Sequence, residues 1–342
     1  MTDDHRQFER RKEDHIKLSL MPENQTQDLG AYEQIALVHE AIPDINFNEI
    51  DISTQRFGKV QAKPFIVSSM TAGHQQAKFI NRHLVEACAL SGWGMGVGSQ
   101  RRELLDPAAA FEWTDLRRDF PKVSLYSNLG IAQVIITPLD DIRRLTDALN
   151  AEALIIHCNP LQESIQPEGT TEYKGSWHAL EILAKNIRLP IIIKETGCGF
   201  SRETLERLKN IGISAVDIAG LGGTHWGRIE GHRAVHDPIR FTTASTFKNW
   251  GIPTPLAVRE AAHLHPNYEI WGSGGVQNGL NAAKLFALGA STVGFAKPIL
   301  EPALVSAEQV VEKMLIIEYE LRVAMFCTGS AVLTDLRQKV AA

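Results

Sequence analysis

Residues 153–163 read Ala153-Leu-Ile-Ile-His-Cys-Asn-Pro-Leu-Gln-Glu163, an apolar run that ends in His157, Asn159, Gln162 and Glu163. A segment that is hydrophobic on both faces belongs in a parallel sheet, and parallel barrels carry their chemistry at the C-terminal ends of their strands. The same construction recurs at residues 65–71, 94–99, 123–128 and 190–195, then at 215–220, 268–275 and 292–297. With the opening segment these make about eight strand candidates, mostly spaced by roughly thirty residues, the cadence of βαβ units.

Several intervening segments read as helices. Ile80, Leu84, Val85 and Cys88 follow helical spacing and Gly92 supplies an end cap. Leu205, Leu208 and Ile211 lie behind Ser201 as N-cap, with Gly212 at the exit. Residues 279–289 form a short apolar helix closed by glycine, and Ser306-Ala-Glu-Gln309 has capping-box spacing ahead of a long final helix. Eight β-then-α units imply an α/β fold: one closed (β/α)8 TIM barrel rather than an open doubly wound sheet. The chain is read as one domain, 1–342, in which residues 1–64 form an N-terminal extension. Residues 224–250 interrupt the cadence as a long loop after strand six, the place for a lid or an oligomer contact.

A hydrophobic fraction of 44% supports a sizeable core, and a net charge of −5 argues against general nucleic-acid affinity, so an anionic ligand requires a local cationic cluster. No apolar run is long enough to span a membrane. The mixed-charge N-terminus is unlike a transit peptide, leaving the cytoplasm as the expected location. Cys88, Cys158, Cys198 and Cys327 are scattered without a C-x-x-C pair, which favours reduced thiols.

Gly272-Ser-Gly-Gly-Val276 and Gly294-Phe-Ala-Lys-Pro298 follow strands seven and eight, where barrels commonly build a phosphate site from backbone N–H groups; tight turns are the plain alternative. Ser69, Met70, Thr71, Ser99 and Asn128 can present hydrogen-bonding groups to a flat heterocycle or serve as turn residues. Lys194, ending a buried strand, is costly to bury without a partner. Glu195 is the nearest candidate, although adjacent strand residues point to opposite faces. His157 offers an acid/base group or ligand, Gln162 a neutral amide, and Glu163 the single carboxylate that can hold Mg²⁺ together with substrate oxygens and water. Arg10-Arg-Lys-Glu-Asp-His-Ile16 reads on its own as a solvated charge run, while Ser99-Gln-Arg-Arg102 sets cations at a strand tip suited to phosphate. Trp226 can cover an apolar ligand or simply pack.

In order, these residues resemble the type 2 isopentenyl-diphosphate isomerases, FMN-dependent (β/α)8 barrels. The resemblance rests on Arg11-Lys-Glu-Asp-His15, Ser69-Met-Thr71, Gly98-Ser-Gln-Arg101, Asn128, His157-x-Asn159-x-x-Gln162-Glu163, Lys194-Glu-x-Gly197, Gly222-Gly-Thr224, Gly272-Ser-Gly-Gly275 and Ala296-Lys297, nearly the whole chain. It implies that Arg11, Lys12, Ser99, Gln100 and Arg101 meet the substrate diphosphate or its surroundings. It also implies that Ser69, Met70, Thr71, Ser99, Asn128, Lys194 and Thr224 contact FMN, with Gly274, Gly275, Val276, Ala296 and Lys297 around the FMN phosphate. Gln162 would meet substrate, Glu163 would hold Mg²⁺, and His157 matches an active-site histidine, so that His157, Gln162 and Lys194 form the catalytic set. Two positions depart from the pattern: Ala72 adds a methyl where glycine is common, and Ala219 stands where many members carry serine.

The implied reaction is a 1,3-allylic proton shift between isopentenyl and dimethylallyl diphosphate, part of isoprenoid biosynthesis, in a homotetramer or homo-octamer. The resemblance further implies that reduced FMN handles the proton in its N5 region, with NADPH as a priming reductant that is not consumed stoichiometrically. An FMN-dependent 2-hydroxy-acid oxidase shares the barrel, but residues 224–228 read Thr-His-Trp-Gly-Arg instead of that family's His-Gly-Gly-Arg. A flavin-binding redox sensor is the non-enzymatic alternative.

Overall fold

The computed structural model describes residues 3–26, 30–70 and 75–341. Eight parallel strands close into a barrel: β1 (Phe65–Val67), β2 (Gly94–Gly96), β3 (Leu125–Gly130), β4 (Ala153–Cys158), β5 (Ile191–Glu195), β6 (Ala215–Asp217), β7 (Glu269–Gly272) and β8 (Thr292–Phe295). Each pairs with its sequence neighbour, and β8 returns to β1 with Val293 beside Phe65. All eight expected strands are therefore present, in the expected order. Alternate residues divide between two cores. Ile66, Tyr126, Ala153, Ile155, Ile192, Ala215 and Trp271 fill the barrel, while Phe65, Val67, Leu154, Ile156, Ile191 and Ile193 pack outward into the larger core formed with the helices.

The expected helices form at Gln75–Ser91, Arg202–Leu208, Gly279–Ala287 and Ala307–Cys327. Ser201 and Ser306 cap theirs by accepting the N–H groups of Thr204 and Gln309. Gly92 and Gly212 adopt positive φ just past two of the helix ends. The long connection after β6 is largely helical, with Trp226–Arg233 and Pro238–Thr246 capped by His225 and Asp237.

Two elements of the N-terminal extension carry no expectation from the sequence. Residues Thr54–Arg56 and Lys59–Gln61 form an antiparallel hairpin that turns at Phe57 and Gly58, both at positive φ. It inserts Phe57 against Trp271 and Arg56 against Tyr126 at the N-terminal end of the barrel. The second element is the helix Asp3–Leu20. Asn24 donates to the Leu18 carbonyl, while Thr26 N–H and His225 N–H bond to Gly223 O and Asn24 O, tying the end of this helix to the segment after β6.

Candidate active site

The opposite, C-terminal end of the barrel opens into a cavity. Its walls include Ser69 and Met70 after β1, Ser99 and Arg101 after β2, Asn128 on β3, and His157, Gln162 and Glu163 at and beyond β4. Lys194, Thr224, Gly274, Gly275, Val276, Ala296 and Lys297 continue it around β5 to β8, and Arg11 and Lys12 approach from the N-terminal helix. Thr71 and Ala72 lie outside the described residues. Gln100 is the expected residue that the cavity does not contain: its side chain turns into the wall, where Oε1 accepts the Asn128 N–H at 3.1 Å. Its backbone N–H returns a bond to the Asn128 carbonyl at 2.9 Å, so Gln100 fixes Asn128 from behind.

Asn128 in turn fixes His157. Its Nδ2 donates to the Val97 carbonyl at 3.0 Å, which leaves Oδ1 facing His157 Nδ1 at 2.9 Å. Only an Nδ1–H can satisfy that oxygen, so Nε2 carries the lone pair. Burial, then the nearby charges of Lys12 and Lys194, pushes His157 down to about 3, a neutral imidazole at working pH.

Lys194 is paired, but not with its sequence neighbour. The Glu195 side chain points outward and accepts the N–H groups of Thr196, Cys198 and Gly199. Lys194 Nζ reaches Asp217 Oδ2 at 3.4 Å across the β5–β6 register and donates to the Glu195 backbone carbonyl at 2.9 Å. Asp217 Oδ1 accepts the Ser273 hydroxyl at 2.6 Å.

Beyond β4, Asn159 Nδ2 donates to Gln162 Oε1 at 3.1 Å and to Glu163 Oε1 at 2.9 Å. Glu163 Oε2 accepts the Thr170 N–H at 2.6 Å, which orients the carboxylate from both sides. Glu163 is the only carboxylate among the described cavity walls, and no three His, Cys, Asp or Glu side chains converge as a metal cage among the described residues. That donor set suits Mg²⁺ shared with ligand oxygens and water rather than a cation enclosed by protein.

Glu230, which the sequence reading did not single out, anchors the cationic side. It is fully buried on the helix Trp226–Arg233 and accepts from His15 Nε2 at 2.8 Å, Gln162 Nε2 at 2.9 Å and Arg233 Nη1 at 2.5 Å. Burial raises its pKa, but the bonds and charges of these partners outweigh that and hold it at about 2. Arg11 adds a 3.8 Å contact to Glu168, itself bonded to Arg233 at 2.8 Å. Residues 11–16 are therefore not wholly solvated: His15 and Ile16 are buried, only Glu13 is exposed, and burial, then Arg11, pushes Lys12 down to about 7. His15 also sets its ring edge-on to Trp226, 5.1 Å between centroids.

The wall formed by β1, β7 and β8 differs in chemistry. Ser68 Oγ and Ser69 Oγ are buried without a hydrogen-bond partner. Among the described residues, the N–H groups of Gly274, Gly275, Val276 and Ala296 have no protein acceptor. Tyr32 and Thr254 hydroxyls both hold the Gly274 carbonyl at 2.8 Å. A Cβ on Gly275 would lie 2.4 Å from the Gly222 carbonyl, so the β6 and β7 tips pack backbone to backbone. These unsatisfied donors and the glycine cradle fit a phosphate-bearing planar cofactor such as FMN.

His225, within the Thr-His-Trp-Gly-Arg segment, is not a cavity group. It is buried, accepts the Arg228 N–H at Nδ1 to cap its helix, and contacts the Trp250 carbonyl through Nε2 at 3.3 Å.

Comparison with known proteins agrees with this construction. The FMN-dependent dehydrogenase family pattern matches residues 159–342. Mandelate oxidase (TM-score 0.67, 18% identity, 98% of each chain) and flavocytochrome b2 (0.67, 18%, 94% of this chain and 81% of the other) share the fold. No helix among the described residues is long and apolar enough to cross a membrane. The chain is 65% identical over 339 residues to the isopentenyl-diphosphate delta-isomerase of Legionella pneumophila (strain Paris), covering 99% of both chains. It is 50% identical over 344 residues to that of Bdellovibrio bacteriovorus (strain ATCC 15356 / DSM 50701 / NCIMB 9529 / HD100), again covering 99% of both. On these similarities the chain belongs to the type 2, FMN-dependent isopentenyl-diphosphate delta-isomerase family.

Proposed function

We propose that this protein interconverts isopentenyl and dimethylallyl diphosphate by a 1,3-allylic proton shift with reduced FMN, Mg²⁺ and NADPH as priming reductant. The observation that carries the reading is the two-sidedness of the cavity. Arg11, Lys12 and Arg101 lie with Glu163 on one side, while unsatisfied hydroxyl and N–H donors with Lys194 occupy the other. The first side suits a diphosphate bridged to Mg²⁺, and the second suits the flavin ring and its phosphate.

When bound, reduced FMN would supply the proton donor and acceptor that an unactivated alkene demands and that side chains of ordinary pKa cannot. The protein contributes placement and charge. Lys194 would stabilise negative charge on reduced FMN, Ser69, Met70, Thr71, Ser99, Asn128 and Thr224 would hold its ring, and Gly274, Gly275, Val276, Ala296 and Lys297 would hold its phosphate. Neutral His157 offers a lone pair rather than a competing acid. Gln162, held by Asn159 and Glu230, would meet the substrate, and because the shift consumes no electrons NADPH would serve only to reach the active state. A homotetramer or homo-octamer in the cytoplasm completes the reading.

The test is anaerobic isomerisation of isopentenyl diphosphate with FMN, Mg²⁺ and NADPH, each omitted in turn. Turnover requiring all three, with NADPH in catalytic amount, is expected; silence from protein carrying reduced FMN would reject the reading. Glu163→Gln should raise the Mg²⁺ requirement by about tenfold and lower turnover; an unchanged Mg²⁺ dependence removes Glu163 as the ligand. Lactate and glycolate should not turn over, since His225 is committed to its cap.

A further inference from the structure

The Asp217–Lys194 pair is built into the barrel wall more firmly than a chance ion pair. Both residues are inward neighbours in the β5–β6 register, Asp217 is 2% exposed and Lys194 7% exposed, and the carboxylate has a dedicated second partner in Ser273, just past the end of β7. Two adjacent strands and the tip after β7 thus contribute one ammonium, one carboxylate and one hydroxyl to a single hydrogen-bonded unit. Only Lys194 and Ser273 reach the cavity wall; Asp217 stays behind them. Of the other titratable groups, His157 on β4 feels the charges of both Lys194 and Lys12, and Glu195 feels that of Lys194, but the Glu195 carboxylate is turned to the N–H groups of Thr196, Cys198 and Gly199 on the far face of β5. None of them supplies a negative charge inside the barrel next to Lys194.

We propose that Asp217 is a positioning residue that sets how much positive charge Lys194 presents to the bound flavin, and so keeps the reduced cofactor from being locked as its anion. The inference rests on the FMN-dependent reading above. An unneutralised lysine in a low-dielectric wall would favour every form of the flavin that carries added negative charge. That would raise the reduction potential and drive loss of the acidic proton of the reduced ring to lower pH. A carboxylate 3.4 Å behind the ammonium opposes both effects, while Ser273, donating to that carboxylate, moderates its strength. Proton-transfer chemistry without net oxidation benefits from this restraint, because a reduced cofactor held permanently as an anion is a poorer proton donor.

The experiment uses FMN-loaded full-length protein and reads the flavin itself: the two-electron midpoint potential, and the pH at which the reduced-state absorption spectrum changes from neutral to anionic. In Asp217→Asn the reduced form should gain about tenfold in affinity over the oxidised form, equivalent to about 30 mV upward, and the spectral transition should move to lower pH. Ser273→Ala, which strips the carboxylate of its donor and leaves Lys194 intact, should move both quantities the opposite way. A potential and transition unchanged or moved downward in potential in Asp217→Asn overturn the inference. If that variant does not fold, Ser273→Ala decides alone: a downward shift in potential supports the inference and any other result overturns it. Wild-type protein that takes up no FMN would instead sink the flavin reading itself.

Discussion

The two ends of the barrel bury a cation each and treat it differently. At the N-terminal end Arg56, 2% exposed, donates to the Tyr126 hydroxyl at 2.9 Å and to the Phe65 carbonyl at 3.4 Å, with its guanidinium 5.5 Å from the centre of the Trp271 ring. Neutral acceptors and an aromatic face hold this weakly hydrated, delocalised charge, with Nε left buried without a partner. At the C-terminal end Lys194, a compact and strongly hydrated ammonium, is given a carboxylate. The first arrangement closes a core; the second keeps a charge available at a cavity edge.

The largest effect expected from this contrast is at Lys194. Lys194→Met leaves Asp217 buried without its counter-ion, which costs about 3–5 kcal/mol, and removes the charge proposed to face the flavin. Urea unfolding should show the loss of stability, and isomerisation should fall by about 10² or more. A variant as stable as the wild type would show that Asp217 is satisfied by Ser273 alone.

One strand carries the contrast at finer scale. A Cβ on Gly94 would lie 2.7 Å from the Tyr126 hydroxyl and 3.1 Å from Arg56 Nη1, whereas one on Gly96 would lie 2.4 Å from Ser69 Oγ and 2.8 Å from Ile155 Cδ1. Each alanine should cost about 1–3 kcal/mol in overpacking. Only Gly96→Ala should also weaken FMN binding, by about tenfold, the worth of one displaced hydrogen bond. Equal FMN affinity in the two variants would break the division of labour between the ends.

What the sequence revealed follows the same division. Strand runs such as 153–158 and 190–195 are apolar on both faces, so the barrel and the strand tips were legible from pattern alone. Partners set by register were not: Lys194 stands beside Glu195 in the chain but pairs with Asp217, more than twenty residues later in the chain. Glu230 was hidden for a similar reason, since its three partners come from the N-terminal helix, the segment after β4 and its own helix. The hairpin escaped because its turn uses Phe57 at φ +52°, a position usually marked by Asn, Asp or Gly. Gln100, expected beside the diphosphate, instead turns into the wall and holds Asn128 from behind.

Lys12 lines the cavity from the N-terminal helix. Its pKa, lowered from 10.5 to about 7, means that the folded protein releases a proton that the unfolded chain retains. The cost to folding is therefore full below about pH 7 and is relieved as pH rises toward 10.5. Substrate capture runs the other way: the free protein loses this charge above about pH 7, so kcat/KM should fall there by up to about tenfold per pH unit. Lys12→Arg should flatten that limb, because guanidinium stays charged. A flat wild-type profile would remove Lys12 from diphosphate capture.

The smallest effect expected is at backbone positions where both ends hold a non-glycine residue at positive φ. Phe57, at +52°, returns ring contacts with Trp271 and Tyr126 at 5.6 and 6.3 Å for the strain of its conformation. Ala219, at +38° on the cavity wall, has only a methyl, and its conformation is kept by the Gly197 N–H bonded to its carbonyl at 2.8 Å. The left-handed region costs an alanine about 1–2 kcal/mol, and glycine gives back about 0.5–1 kcal/mol in lost chain entropy. Ala219→Gly should therefore stabilise by about 0.5–1 kcal/mol, a rise of about 1–2 °C in Tm for a chain of this size, whereas Phe57→Gly should destabilise by removing the ring. If Ala219→Gly lowers Tm instead, the methyl contributes packing at the cavity wall that outweighs the strain, and the open end would be held together by the same logic as the closed one.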